Sequence, residues 1–117
     1  MSVPPSVEIA GRPLGRSDET YVIAEIGSNF DGSKKRAKKL IELAAECGAD
    51  AAKFQAFTAD KILSKPGFEG LKEGFQEKWD KPVYEVYQDA ELPREWIPEL
   101  ADHCDKQGID FLCTPYD

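Results

Sequence analysis

Glu25, Lys53, Gln55 and Thr114 stand near the ends of three apolar, strand-like runs. Side chains on a strand alternate between its two faces. Tyr21, Ile23 and Glu25 therefore share one face, with Val22, Ala24 and Ile26 on the other. In the second run Ala51, Lys53 and Gln55 oppose Ala52, Phe54 and Ala56, and the third run offers Leu112 and Thr114 in the same way. The wholly apolar faces suit packing against helices. The opposite faces end in polar residues at the C-terminal ends of the strands, where α/β sheets and barrels hold their chemistry. A lysine and a glutamate on adjacent buried faces are costly unless they pair or meet a ligand. Lys53 can meet a phosphate or carboxylate as a point charge. Glu25 can pair with Lys53, or act as an acid, a base or an orienter of metal-bound water. A structural ion pair with Gln55 hydrogen-bonded locally satisfies the same spacing, and spacing alone names no reaction.

The elements that must position these residues are legible in outline. Val7 to Leu14, around Gly11 and Pro13, reads as a short hairpin or strand-and-turn lead-in. Thr20 to Ile26 is a compact strand, followed by the turn-rich Gly27-Ser28-Asn29-Phe30-Asp31-Gly32. A helix is expected from Ser33, a plausible N-cap, to Cys47, with Leu40, Ile41, Ala44, Ala45 and Cys47 as its apolar stripe and Gly48 as a left-handed cap. Asp50 to Phe57 is a second strand. Residues 58–82 read as a long, polar, irregular loop, of the kind that is usually functional or flexible. A helical segment near Val83 to Asp89 follows. A longer helix begins in earnest around Pro98 and ends at Gly108, before a third strand from Ile109 to Thr114.

Strand, helix, strand, helices, strand is the order of a parallel α/β sheet, either doubly wound or a (β/α)8 barrel. A whole barrel takes roughly 250 residues, against 117 here. A third strand left at an open edge is a site for association.

Composition narrows the partners. Net charge is −7 with a pI near 4.7, which argues against nucleic acid or an anionic membrane surface. No signal peptide or membrane span is visible, and a cytoplasmic location is expected. Cys47, Cys104 and Cys113 match no CxxC pattern and are expected as buried free thiols. The basic run Lys34-Lys35-Arg36 with Lys38-Lys39 reads as a solvated helix face, His103 as a surface or boundary residue, and Trp79 and Trp96 as packing anchors. No metal-ligand cluster, nucleotide loop or nucleophile elbow is present.

The same residues carry a family resemblance. Val22-Ile23-Ala24-Glu25-Ile26-Gly27-Ser28-Asn29, followed by Asp31-Gly32, resembles the opening strand and loop of sialic acid (N-acetylneuraminate) synthases. Ala45 to Gln55 resembles their second strand, Gly108 to Asp117 their third, and Val7 to Leu14 their N-terminal hairpin. Trp79-Asp80, Tyr84-Glu85 and Leu92 to Trp96 are similar to the wider group making pseudaminic, legionaminic and spore-coat sugar acids.

The resemblance implies an α/β fold that is the N-terminal portion, about three βα units, of a TIM (β/α)8 barrel with an N-terminal hairpin. Residues 1–17 would be the hairpin lead-in and 18–117 the first three strands with their helices. The rest of the barrel, and an antifreeze-like domain that completes a partner's site in a homodimer, would lie outside this sequence. The implied reaction joins phosphoenolpyruvate to the open-chain aldehyde of an N-acetylated amino sugar and releases phosphate, with manganese or magnesium as a Lewis acid. By the same resemblance Lys53 and Thr114 would hold phosphoenolpyruvate, Gln55 would contact the sugar, and Glu25 would sit near the reacting groups. Asn29 matches a loop position of the site, although Phe30 replaces the histidine usual after it. Cys113 stands where a serine is common, on the face turned from the site. The metal ligands would lie downstream, so these residues alone are expected to be inactive, as a fragment or one part of a split protein. The rival expectation is a non-catalytic partial barrel acting by self-association or by pairing with a complementary half.

Overall fold

Parallel strands buried against helices need one continuous apolar face, and the alternation read above supplies it. The computed structural model describes residues 6–69 and 81–117. A two-stranded antiparallel hairpin, β1 (Val7–Ile9) and β2 (Arg12–Leu14), precedes a three-stranded parallel sheet in the order β3-β4-β5. The strands are β3 (Ile23–Gly27), β4 (Ala51–Ala56) and β5 (Asp110–Pro115). Helix α1 (Lys34–Glu46) connects β3 to β4. Between β4 and β5 run α2 (Ala59–Ile62), α3 (Lys65–Glu69), α4 (Val83–Asp89), a 3-10 turn (Arg94–Trp96) and α5 (Ile97–Gln107).

The hairpin turns at Ala10 and Gly11, both with positive φ (49° and 80°). Two successive left-handed residues give the turn whose twist matches that of the flanking strands. The hairpin is tied to the N-terminal ends of the sheet strands. Arg12 pairs with Asp50, whose other oxygen accepts the Val22 N–H at 2.7 Å. The Arg12 guanidinium lies 5.4 Å from the centre of the Tyr21 ring, and the Tyr21 hydroxyl donates to Asp110 at 2.6 Å. Burial, then the bond to Asp110, push the Tyr21 phenol up to about 12, so it remains a donor. Arg12 and Asp50 thus engage Thr20 and Val22, and the first sheet strand begins at Ile23 rather than Thr20.

One face of the sheet carries the core. Ile26, Ala52 and Phe54 pack with Ala37, Ile41 and Ala44 of α1 and with Leu100 and Cys104 of α5, while Phe111 and Cys113 close the β5 side. Helix α1 is capped at Ser33, whose Oγ accepts from the Arg36 N–H at 3.1 Å. Gly108 ends α5 in the left-handed conformation (φ 75°), and Pro98 stands at its first turn as expected.

Three expectations are corrected. The segment 58–82 is not wholly irregular, since it contains α2 and α3; residues 70–80, Trp79 and Asp80 among them, lie outside the described residues. Cys47 is exposed, while Cys104 is buried and Cys113 half-buried. Cys47 is the C-cap of α1, one residue past the turns that face the sheet. The basic run is not simply a solvated face, because Lys34 and Lys38 both reach Glu99 of α5, at 2.7 and 2.6 Å.

That last contact sets a pH dependence. The hydrogen bonds from Lys34 and Lys38 draw the Glu99 carboxyl from 4.5 down to about 2. A carboxylate whose folded pKa is depressed contributes stability that is present above its unfolded value and is lost as pH falls toward the folded one. Denaturant midpoints should therefore fall between pH 4.5 and about 2. In Glu99→Gln this slope should flatten; an unchanged acid limb would show that the α1–α5 bridge contributes nothing. Among the described residues no helix is long and apolar enough to cross a membrane.

Candidate functional site

The residues singled out for chemistry converge at the C-terminal ends of the three parallel strands. Glu25 of β3 and Lys53 of β4 are register partners on neighbouring strands, and Gln55 of β4 is the partner of Thr114 of β5. Lys53 Nζ lies 3.2 Å from Glu25 Oε2. All four side chains share the face opposite the core, because Phe54 and Cys113, which alternate with them, pack into it.

The loop after β3 brings the group together. Between Glu25 and Gly27 the β3–β4 register shifts, so that Gly27 rather than Ile26 pairs with Phe54. Gly27 has φ 59°, a conformation in which a side chain is strained. A Cβ there would stand 3.4 Å from Glu25 Oε1 and 3.7 Å from Gln55 Cδ. Glu25 and Gln55 thus lean over one glycine, and Glu25 in turn touches Lys53.

Asn29 is placed differently. Its Nδ2 donates to the Ile26 carbonyl at 2.9 Å, closing the loop on itself, and the residue is otherwise exposed. Its geometry serves the turn that carries Gly27. Ser28 Oγ in the same loop is buried with no hydrogen-bond partner among the described residues.

The Glu25 and Lys53 side chains are 47% and 35% exposed, more open than the buried faces expected from the sequence. Among the described residues, α1 and α5 pack on the other face of the sheet, and this one is left open. An ion pair so exposed contributes about 0.2–1 kcal/mol. It is a weak reason for the fold to exist and leaves Lys53 available to an anion.

Past the strands, two further carboxylates fix the chain leaving β4. Asp117 accepts the Thr58 N–H at 2.8 Å, and Glu91 accepts the Ala59 N–H at 2.7 Å. Phe57 is packed between Tyr87 and Tyr116, with ring centres 5.8 and 6.3 Å away. Asp117 and Glu91 were not among the sequence candidates, since neither lies on the alternating face of a strand.

Among the described residues no three His, Cys, Asp or Glu side chains gather as a metal site requires. The described residues thus offer no donor set for a divalent ion, whose ligands the resemblance would place downstream.

The model of the NeuB family matches residues 40–117. The chain belongs to the NeuB family. It is 40% identical over 111 residues to the spore coat polysaccharide biosynthesis protein SpsE of Bacillus subtilis, covering 94% of this chain and 29% of that one. It is also 40% identical over 102 residues to the N,N'-diacetyllegionaminic acid synthase of Campylobacter jejuni, covering 85% of this chain and 30% of that protein. The chain therefore spans about three-tenths of the length of these relatives. Among solved structures, the sialic acid synthetase of Leptospira borgpetersenii matches 97% of this chain, and 35% of its own, with a TM-score of 0.78 at 24% identity, a likeness of fold. This NeuB-family chain is thus an α/β fold with a parallel sheet, and its polar strand ends fall inside the matched segment from Lys53 onward.

Proposed function

We propose that this chain forms the first three βα units of a (β/α)8 barrel in a synthase that condenses phosphoenolpyruvate with the aldehyde of an N-acetylated amino sugar. The observation that carries the reading is the 3.2 Å contact of Lys53 with Glu25 across register-paired parallel strands, at the strand ends of a NeuB-family chain. The synthase names of the relatives and the hairpin seated at the N-terminal ends of the strands add support.

In this reading Lys53 leaves Glu25 for an oxygen of phosphoenolpyruvate. The exchange replaces one ion pair by another, so the ammonium keeps an anionic partner throughout. Thr114, one strand over, donates its hydroxyl to the same ligand. Gln55 stands between them and turns its amide to the sugar. The terminal carbon of the enol attacks the aldehyde carbon, whose oxygen takes a proton. Water adds to the neighbouring carbon with loss of its proton, and phosphate departs by cleavage of the C–O bond. Atoms balance as one phosphoenolpyruvate, one sugar and one water giving one sugar acid and one phosphate. Glu25, once released by Lys53, is a carboxylate at the mouth able to take the proton of that water. The divalent ion implied by the resemblance is given no step, since the residues described do not form its donor set.

The remainder of the barrel, a homodimeric partner and the identity of the amino sugar belong to the intact protein. The reading is tested by incubating that protein with phosphoenolpyruvate and a panel of N-acetylated amino sugars. Phosphate should be released only when both are present, in equal amount to the sugar acid formed. Phosphate release without a sugar, or no consumption of phosphoenolpyruvate with any of them, would overturn it.

A further inference from the structure

We infer that Asp117 is a positioning residue of the site, holding the exit of β4 so that Gln55 and Phe57 keep their place at the strand ends. The inference rests on the function proposed above and adds a residue to it. The Asp117 side chain is turned in against the chain and is 7% exposed, although its backbone and its partner Arg94, at 67%, are open to solvent. A carboxylate so enclosed must be hydrogen-bonded to offset the loss of water. Both of its oxygens are used. One accepts the Thr58 N–H at 2.8 Å, and the other meets Arg94 Nη2 at 2.5 Å.

The neighbouring peptide reinforces the tie. The Tyr116 N–H donates to the Ala56 carbonyl at 3.0 Å, so the end of β5 grips the chain past Gln55 at two points, Ala56 and Thr58. Phe57, between them, is 7% exposed and packs edge-on to Tyr116. The chain leaving β4 is therefore held at Thr58 from the end of β5, through Asp117, while Glu91 holds the next amide, that of Ala59. Gln55 lies three residues before Thr58, on the last outward-facing position of β4 before that tie. Lys53 lies a further two residues back, inside the ladder on both sides. Loss of Asp117 should therefore disturb Gln55, the sugar side, more than Lys53, the phosphoenolpyruvate side.

The experiment compares Asp117→Ala and Asp117→Asn in the intact synthase by steady-state kinetics in each substrate, with amide hydrogen exchange on the same proteins. For Asp117→Ala the KM for the amino sugar should rise roughly tenfold or more, the scale of a lost charged hydrogen bond. Its KM for phosphoenolpyruvate should stay within about twofold. Exchange at residues 55–59 should quicken, while the amides of β3 stay protected. Asp117→Asn keeps an oxygen for the Thr58 N–H and should recover most of both effects. Equal rises in both KM values, unchanged kinetics, or failure of Asn to rescue would overturn the proposal. If the unmodified protein consumes no phosphoenolpyruvate, the proposed function fails, and exchange at 55–59 still decides whether Asp117 holds the β4 exit.

Discussion

Replacing Lys53 with alanine in the intact protein is expected to lower the rate of phosphoenolpyruvate-dependent condensation by on the order of 10²–10³-fold, the scale of removing one preorganised charge-stabilising donor. The fold should survive. Lys53 stands on the face opposite the core, so its truncation removes one contact with Glu25 and no apolar packing. The stem of Lys53 leaves no hole in the core, because its neighbours on the core face are Ala52 and Phe54. Phosphate release measures the loss, and a thermal melt followed by circular dichroism checks the fold. Arginine should not restore activity, since a planar fork does not replace a compact ammonium where geometry is tight. Turnover within a few-fold of the unmodified protein would remove Lys53 from the site.

One residue further along the chain the expectation reverses. Phe54→Ala should cost about 3–5 kcal/mol of stability, the usual loss for an aromatic truncated in a packed core. Phe54 is fully buried on the central strand of the sheet. Its ring centre lies 6.3 Å from that of Phe30 and 5.8 Å from that of Phe111, so one side chain links the β3 loop to β5. A domain stable by about 5–15 kcal/mol loses a large share of that margin. Urea denaturation should show the midpoint fall steeply, and Phe54→Leu, which keeps most of the volume, should lose much less. A midpoint unchanged in Phe54→Ala would mean that the sheet and helices are not packed through this ring. Lys53 and Phe54 are adjacent in sequence and opposite in consequence because a strand turns successive residues to opposite faces.

That alternation is why so much of the architecture was legible beforehand. Period-two patterning around Glu25, Lys53 and Thr114 separated a core face from a polar face, and the structure pairs the same strands in parallel with the same faces inward. Helix ends were legible where one residue fixes them, as at Ser33, Gly48 and Gly108. What failed were features made by distant partners. Helices α2 and α3 are too short to be stable on their own sequence, and the contacts that settle this stretch come from elsewhere: the Tyr84 hydroxyl on Asp60, Glu91 on the Ala59 N–H and Lys65 over the Tyr84 ring. Lys34 and Lys38 read as solvated because Glu99, their shared partner, lies more than sixty residues away. Asp117 is 59 residues from the Thr58 amide it holds, and no local pattern announces such a tie.

The central claim is that the Lys53 ammonium, now 3.2 Å from Glu25, is the cation that receives phosphoenolpyruvate. A crystal structure of the intact protein with that ligand bound tests it most directly. The expected result is an oxygen of the ligand within salt-bridge distance of Lys53 Nζ, with the Thr114 hydroxyl bonded to the same molecule. Phosphoenolpyruvate bound elsewhere, with Lys53 still held by Glu25, would contradict the account.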